Sequence, residues 1–226
     1  MLGNVLRNLD WSVLTTAALS IVPALICITF HELSHGYAAY RLGDTTARDM
    51  GRLTLNPIKH IDIFGLIMMA IFKFGWAKPV PVNMMNFRKP KRYMALTALA
   101  GPLANILLAM AVLFIYGLVI SPLSADPTSM NAGTVAMIML YNTAYISVAL
   151  AVFNLLPIPP LDGSKILFSF IPDRHYYTLM RYERFGAILL IVLVTTNAFG
   201  ATIGVVTNSL FGKLTFFANV AYKLVN

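Results

Sequence analysis

Residues 31–35, HELSH, place two imidazoles and a carboxylate inside an apolar run. His31 and His35 are four residues apart, so on a helix their side chains leave one face about one turn apart. Two imidazoles in that arrangement can bind one zinc ion, and Glu32 beside them can take a proton from water on the metal. The chain has four histidines, and its glutamates are Glu32 and Glu183, so half of each type falls within this pentapeptide. Ionisable groups at bilayer depth are costly and need a partner, a cavity or a task. Histidines that are merely satisfied in a core would need polar partners there too.

A catalytic zinc site uses three protein ligands and leaves one position open. The sequence offers a third ligand in FNLLPIPPLDG, residues 153–163. Pro157, Pro159 and Pro160 cannot continue a helix, and backbone that opens at membrane depth must be surrounded by protein or reached by water. Asp162 closes that break. It reads either as the N-cap of a short helix over residues 163–171 or as the third ligand, and its depth, worked out below, favours the ligand. His60 and His175 lie in polar and charged loops and read as solvated, not ligating. Cys27, the single cysteine, reads as a small buried apolar side chain and forms no intrachain disulfide. The methionines read as packing or lipid-facing residues.

The elements that must position these groups are apolar. Hydrophobic residues make up 58% of the 226 and charged residues 12%, with a mean hydropathy of +0.72. Soluble domains carry about 25% charged residues, so composition excludes that class and makes this a polytopic membrane protein. The net charge of +8 does not point to nucleic acid. The basic residues sit between apolar runs without an aromatic-interleaved patch, as topology signals do. The expected fold is all-α, one membrane-embedded domain over residues 1–226, with four to five transmembrane helices. Spans are expected over residues 11–40, 94–120, 134–156 and 185–206, the third broken by its prolines. The first is read as a retained span, not a signal peptide. Residues 208–224 read either as a final short span or as an interfacial helix. Between the first two spans, residues 61–76 are too short to cross comfortably. With the extended KPVPVN (residues 78–83), they suit a re-entrant or extended hairpin.

Charge sets the orientation. Of 17 Lys and Arg, ten fall in residues 41–92, four in 163–184 and none in 121–133. The two basic regions are therefore expected on the cytoplasmic side and the loop 121–133 outside. That places His31 and His35 toward the cytoplasmic end of span one, and the end of span three at the same depth.

HELSH, AGPLAN (residues 100–105) and NLLPIPPLDG (residues 154–163) together resemble the site-2 protease family of intramembrane zinc metalloproteases. The resemblance covers nearly the whole chain, including GRLTLNPIKHID and WAKPVPVNMMNFR, and is nearest to the compact prokaryotic members. It implies Zn2+ held by His31, His35 and Asp162, with Glu32 as general base. Asn154 matches the family asparagine that contacts the scissile carbonyl. The implied substrate is a membrane protein cut within or beside a transmembrane helix, the setting a lipid bilayer of a prokaryotic plasma membrane, and no nucleic acid is involved. The family often carries PDZ or CBS domains, and neither is recognisable here.

In AGPLAN, Ala100, Gly101 and Ala104 read as close-packing residues, and Asn105 as a partner reaching toward the histidine-bearing helix. KPVPVN could hold an unwound substrate by edge pairing, although prolines also protect edges. The main rival is a transporter in which His31, Glu32, His35 and Asp162 form an ion or proton path. A scaffold without activity and a metallopeptidase with Glu183 as third ligand fit less well, because all the catalytic roles are already filled.

Overall fold

The computed structural model describes residues 11–63, 65, 77–120, 131–181, 183–196 and 198–226. The apolar part of the expected hairpin and most of the expected external loop lie outside them.

The architecture is helical. The long apolar run at the start forms a single helix, α1 (Trp11–Arg41), which holds HELSH one to three turns from its end. Gly43 then takes φ +109°, the left-handed conformation that ends helices and suits glycine. The chain turns through a short helix, α2 (Thr46–Asp49), and 3-10 turns at Pro57–His60 and Met84–Asn86. Ile61 and Ala77 form an antiparallel bridge, and Lys78 N–H donates to the His60 carbonyl at 2.9 Å. The two ends of the expected hairpin are thus paired at its base.

Pro90 opens α3 (Pro90–Val119), where its missing N–H does no harm. Asn131 caps α4 (Ala132–Asn154), its side chain accepting from Thr134 N–H at 2.8 Å. As expected, α4 stops before the prolines, and helix resumes as α5 (Asp162–Phe168). Then come α6 (Asp173–Arg181), α7 (Glu183–Thr195) and α8 (Gly200–Val225).

Three described helices are long and apolar enough to cross a membrane: Leu19–Arg41 of α1, α3 and α4. The pair α7 and α8, bent by 84°, makes up to four. Here the expected boundaries need correcting. Residues 185–206 are not one continuous span: the helix breaks after Thr195 and restarts at Gly200. Residues 208–224 belong to the same 26-residue helix as Gly200. That helix packs into the bundle. Phe211 joins Ala109, Val112, Leu113, Ala144 and Val148 in the apolar core, and Tyr145 Oη donates to Asn208 Oδ1 at 2.9 Å. Cys27 is fully buried, as expected.

Candidate metal centre

The helical spacing of HELSH puts His31 and His35 on one face of α1, and the proline break lets α5 begin directly opposite. Asp162 Oδ2 lies 3.1 Å from His31 Nε2 and 3.0 Å from His35 Nε2, and the two Nε2 atoms are 3.0 Å apart. All three residues are buried. The N-cap reading of Asp162 does not hold: Leu161 occupies the N-cap position, and the Asp162 carboxylate turns to the histidines.

The hydrogen bonds behind the rings decide which atoms face the centre. His35 Nδ1 lies 2.7 Å from the Thr97 carbonyl, which only accepts. Nδ1 therefore carries the hydrogen, and Nε2 turns its lone pair inward. His31 Nδ1 lies 3.3 Å from the Asn105 amide. Asn105 Oδ1 has no hydrogen-bond partner of its own among the described residues. Turned by half a rotation, that amide presents the oxygen, which accepts from His31 Nδ1–H and frees the second Nε2. Ser147 Oγ donates to the Asn105 carbonyl at 2.9 Å and ties this helix turn to α4.

Two inward lone pairs and a carboxylate oxygen at 3.0–3.1 Å repel one another unless positive charge lies between them. Ligands about 2.0–2.1 Å from a tetrahedral zinc stand roughly 3.3 Å apart, close to these separations. Two imidazoles and one carboxylate, buried and backed by oriented partners, fit a zinc ion.

Glycines make the convergence possible. A Cβ on Gly101 would fall 2.7 Å from His31 Cε1 and closer still to the His35 ring. A Cβ on Gly163 would run into the carbonyl oxygens of Leu155 and Leu156, so only glycine lets α5 start against the broken end of α4.

A cavity of about 300 Å³ opens on the three ligands. Glu32, Asn154 and Lys165 line it with Pro79, Val80 and Val82 of the extended stretch. Glu32 stands beside the ligand cluster and is not a member of it. Its Oε2 accepts from Val80 N–H at 2.8 Å. The Asn154 Nδ2 donates back to the Leu150 carbonyl at 2.9 Å, which leaves its second N–H for another acceptor.

The extended stretch is pinned from behind. Buried Arg52 donates through Nη2 to the carbonyls of Lys78 and Pro79, at 2.9 and 3.3 Å. Asp44, fully buried, accepts from Asn83 N–H and from Asn86 Nδ2, both at 2.7 Å. Gly36 leaves room for Val80: a Cβ there would lie 2.9 Å from Val80 Cγ1.

The expected site residues His31, Glu32, His35, Asn154 and Asp162 all come together here. His60 needs correcting: it is 2% exposed, not solvated, and Nε2 lies 3.0 Å from the Thr54 carbonyl. It takes no part in the cluster. His175 is exposed. Sequence reasoning missed the Thr97 carbonyl, the Val80 N–H, Arg52 and Asp44.

A helical bundle that brings a buried His–His–Asp cluster to a cavity beside a glutamate defines a metal-centred membrane protein. Residues 119–197 match peptidase family M50. "Putative zinc metalloprotease YwhC" of Bacillus subtilis is 39% identical over 182 residues, 78% of this chain and 80% of that protein. "Putative zinc metalloprotease Rip2" of Mycolicibacterium smegmatis is 30% identical over 178 residues, 77% of this chain and 65% of that protein. "Putative zinc metalloprotease MJ0611" of Methanocaldococcus jannaschii is 32% identical over 138 residues, 61% of this chain and 63% of that protein. No solved structure gives a significant match. The chain belongs to peptidase family M50, the site-2 protease family. Membership does not favour the transporter reading.

Proposed function

We propose that this integral membrane protein is a zinc-dependent endopeptidase that hydrolyses a peptide bond within or next to a transmembrane segment of a membrane-protein substrate. The convergence of His31, His35 and Asp162 on one point, with Glu32 on the wall of the same cavity, carries this reading. Family membership and relatives named as zinc metalloproteases support it. His31 and His35 through Nε2, and Asp162 through Oδ2, would hold the metal. Bound there, zinc supplies Lewis acidity, lowering the pKa of water at its open position and polarising a carbonyl.

Glu32 accepts the proton of the attacking water and returns it to the leaving amine as the C–N bond breaks. Val80 N–H fixes one carboxylate oxygen and leaves the other to move the proton. Asn154 lines the same cavity, and its remaining N–H would stabilise charge on the oxygen of a scissile carbonyl bound there. Edge pairing with an unwound substrate is left to the carbonyls of Val80 and Pro81 and the main chain of Val82. The Lys78 N–H and carbonyl, the Pro79 carbonyl and the N–H groups of Val80 and Asn83 are already used on His60, Arg52, Glu32 and Asp44, and proline has no N–H. The active site lies nearer the cytoplasmic face of a prokaryotic plasma membrane. The basic residues flanking it support that side, and the bacterial and archaeal relatives support that setting.

Glu32→Gln tests the assignment. Cleavage of a reporter transmembrane substrate is expected to fall by roughly 10²–10⁴-fold, the usual worth of a general acid–base group. Metal analysis is expected to find zinc retained. Cleavage at the wild-type rate would remove Glu32 from the mechanism.

A further inference from the structure

A second concavity, about 640 Å³, opens between the start of α3 and the end of α5. Its walls are apolar: Leu96 and Leu99 from α3, Ile166 from α5 and Phe170 from the turn after it. At the start of α3 its lining is cationic, with Lys89, Lys91 and Arg92.

The three cations are not equivalent. Lys91 is engaged by the protein: its Nζ donates to the Ile171 carbonyl and to Asp173 at 3.1 Å, and lies 5.7 Å from the centre of the Tyr176 ring. Among the described residues Asp173 is the only acid lining the groove, and Lys91 takes it. Lys89 and Arg92 are exposed and have no hydrogen-bond or ion-pair partner among the described residues. Two positive charges without a partner among the described residues therefore stand at this end of the groove.

Depth adds the second half. At 1.5 Å per residue, a 30-residue helix is roughly 45 Å long, against about 30 Å of hydrocarbon, so part of α3 must leave the hydrocarbon, and the cationic first turn is the part suited to headgroup level. The apolar walls begin about one turn deeper. Leu96 is 44% exposed and Phe170 82% exposed, so no described part of the protein covers them. Positive charge at headgroup level above an open apolar channel is the complement of an anionic amphiphile. A zwitterionic lipid matches the walls but not the charge. Free phosphate matches the charge but not the walls.

We propose that this groove binds an anionic phospholipid, with its phosphate between Lys89 and Arg92 and an acyl chain along Leu96, Leu99, Ile166 and Phe170. The site backs onto the metal centre. Thr97 and Ala98 line the cavity of the ligands while their neighbours Leu96 and Leu99 line the groove, and Lys165 and Ile166 divide in the same way. The assignment does not depend on the proteolytic reading.

Native mass spectrometry of the full chain in detergent tests it, titrating phosphatidylglycerol against phosphatidylcholine with identical acyl chains. The wild type is expected to retain phosphatidylglycerol more tightly. Each cation is worth roughly fivefold at an anionic surface, so Lys89→Gln with Arg92→Gln is expected to weaken it roughly 25-fold. Phosphatidylcholine, whose phosphate is neutralised by its own choline, is expected to weaken much less, and phosphatidylglycerol binding is expected to stay unchanged in Arg48→Gln, which removes an exposed cation elsewhere. Leu99→Asn is expected to weaken phosphatidylglycerol while both cations remain. Should the double variant fail to purify, each single variant carries the same reading at about a fivefold loss. The proposal is overturned by equal affinity for the two lipids, or by phosphatidylglycerol binding that survives loss of both cations. It is also overturned if glycerol phosphate alone displaces the lipid, or if an acid-flanked transmembrane peptide crosslinks to the groove and expels it.

Discussion

Helix α3 is built differently at its two ends. Residues 97, 101, 105, 109, 113 and 117 recur every four positions and form one slowly turning stripe. In its first half, the Thr97 carbonyl, the bare face of Gly101 and the Asn105 amide meet the imidazoles of α1. In its second half, Ala109 and Leu113 join the apolar core, and Gly117 packs against the Ala218 backbone of α8. Small residues serve both halves. At one end smallness admits polar rings that must be oriented, and at the other it admits a backbone that must be dry. Substitutions in the two halves should therefore fail in different ways.

The largest contrast is between two changes of the same kind. Gly101→Ala drives a methyl into both histidine rings. Bound zinc, measured by metal analysis, is expected to fall to near zero with the melting of the far half of the bundle little changed. Gly117→Ala drives a methyl into the Ala218 carbonyl. It is expected to destabilise by about 1–3 kcal/mol, as overpacking does, with zinc stoichiometry intact. If both variants lose zinc alike, or both only melt earlier, the two halves are not distinct. A milder change sharpens the first half. Asn105→Ala removes the partner of His31 and is expected to weaken metal affinity roughly 10–100-fold in a chelator competition. Unchanged affinity would mean that the amide does not orient the ring.

The smallest expected effect lies outside the spans, at Asp44. Burial pushes its carboxyl up, but hydrogen bonds from Thr46, Asn83 and Asn86 outweigh this and hold it below the usual carboxylate range. A lowered folded-state pKa gives stability that is present above the unfolded pKa and lost as pH falls through the folded one. Acid should therefore loosen the extended stretch. Asp44→Asn is expected to flatten the acid side of a plot of melting temperature against pH. A slope unchanged by the substitution would show that other groups carry it.

The proposed metal ligands were legible because helical periodicity and proline chemistry are local rules. Four-residue spacing fixes that His31 and His35 share a face, and three prolines fix that α4 must stop before Asp162. Of the groups around them, Asn105 was legible as a polar residue in an apolar helix, and the others were not, for a physical reason. The Thr97 carbonyl and Val80 N–H are main-chain atoms that every residue possesses, so no side-chain pattern marks them. Gly101 could be read as a site of close approach, but not that imidazoles approach it. His60 was misread because its surroundings in sequence are polar, whereas its burial comes from backbone folding around it. The break after Thr195 was missed because hydropathy stays high on both sides of it, while Thr195, Thr196 and Gly200 marked it only weakly.

His31 and Asp162 are separated by 131 positions. During synthesis at roughly 5–20 residues per second, the second follows the first by several seconds or more. Throughout that interval the two imidazoles are made but have no carboxylate to complete them. With the proposed ligand set, a half-finished chain lacks its third ligand, and the centre is completed only once the proline-broken segment has emerged and docked.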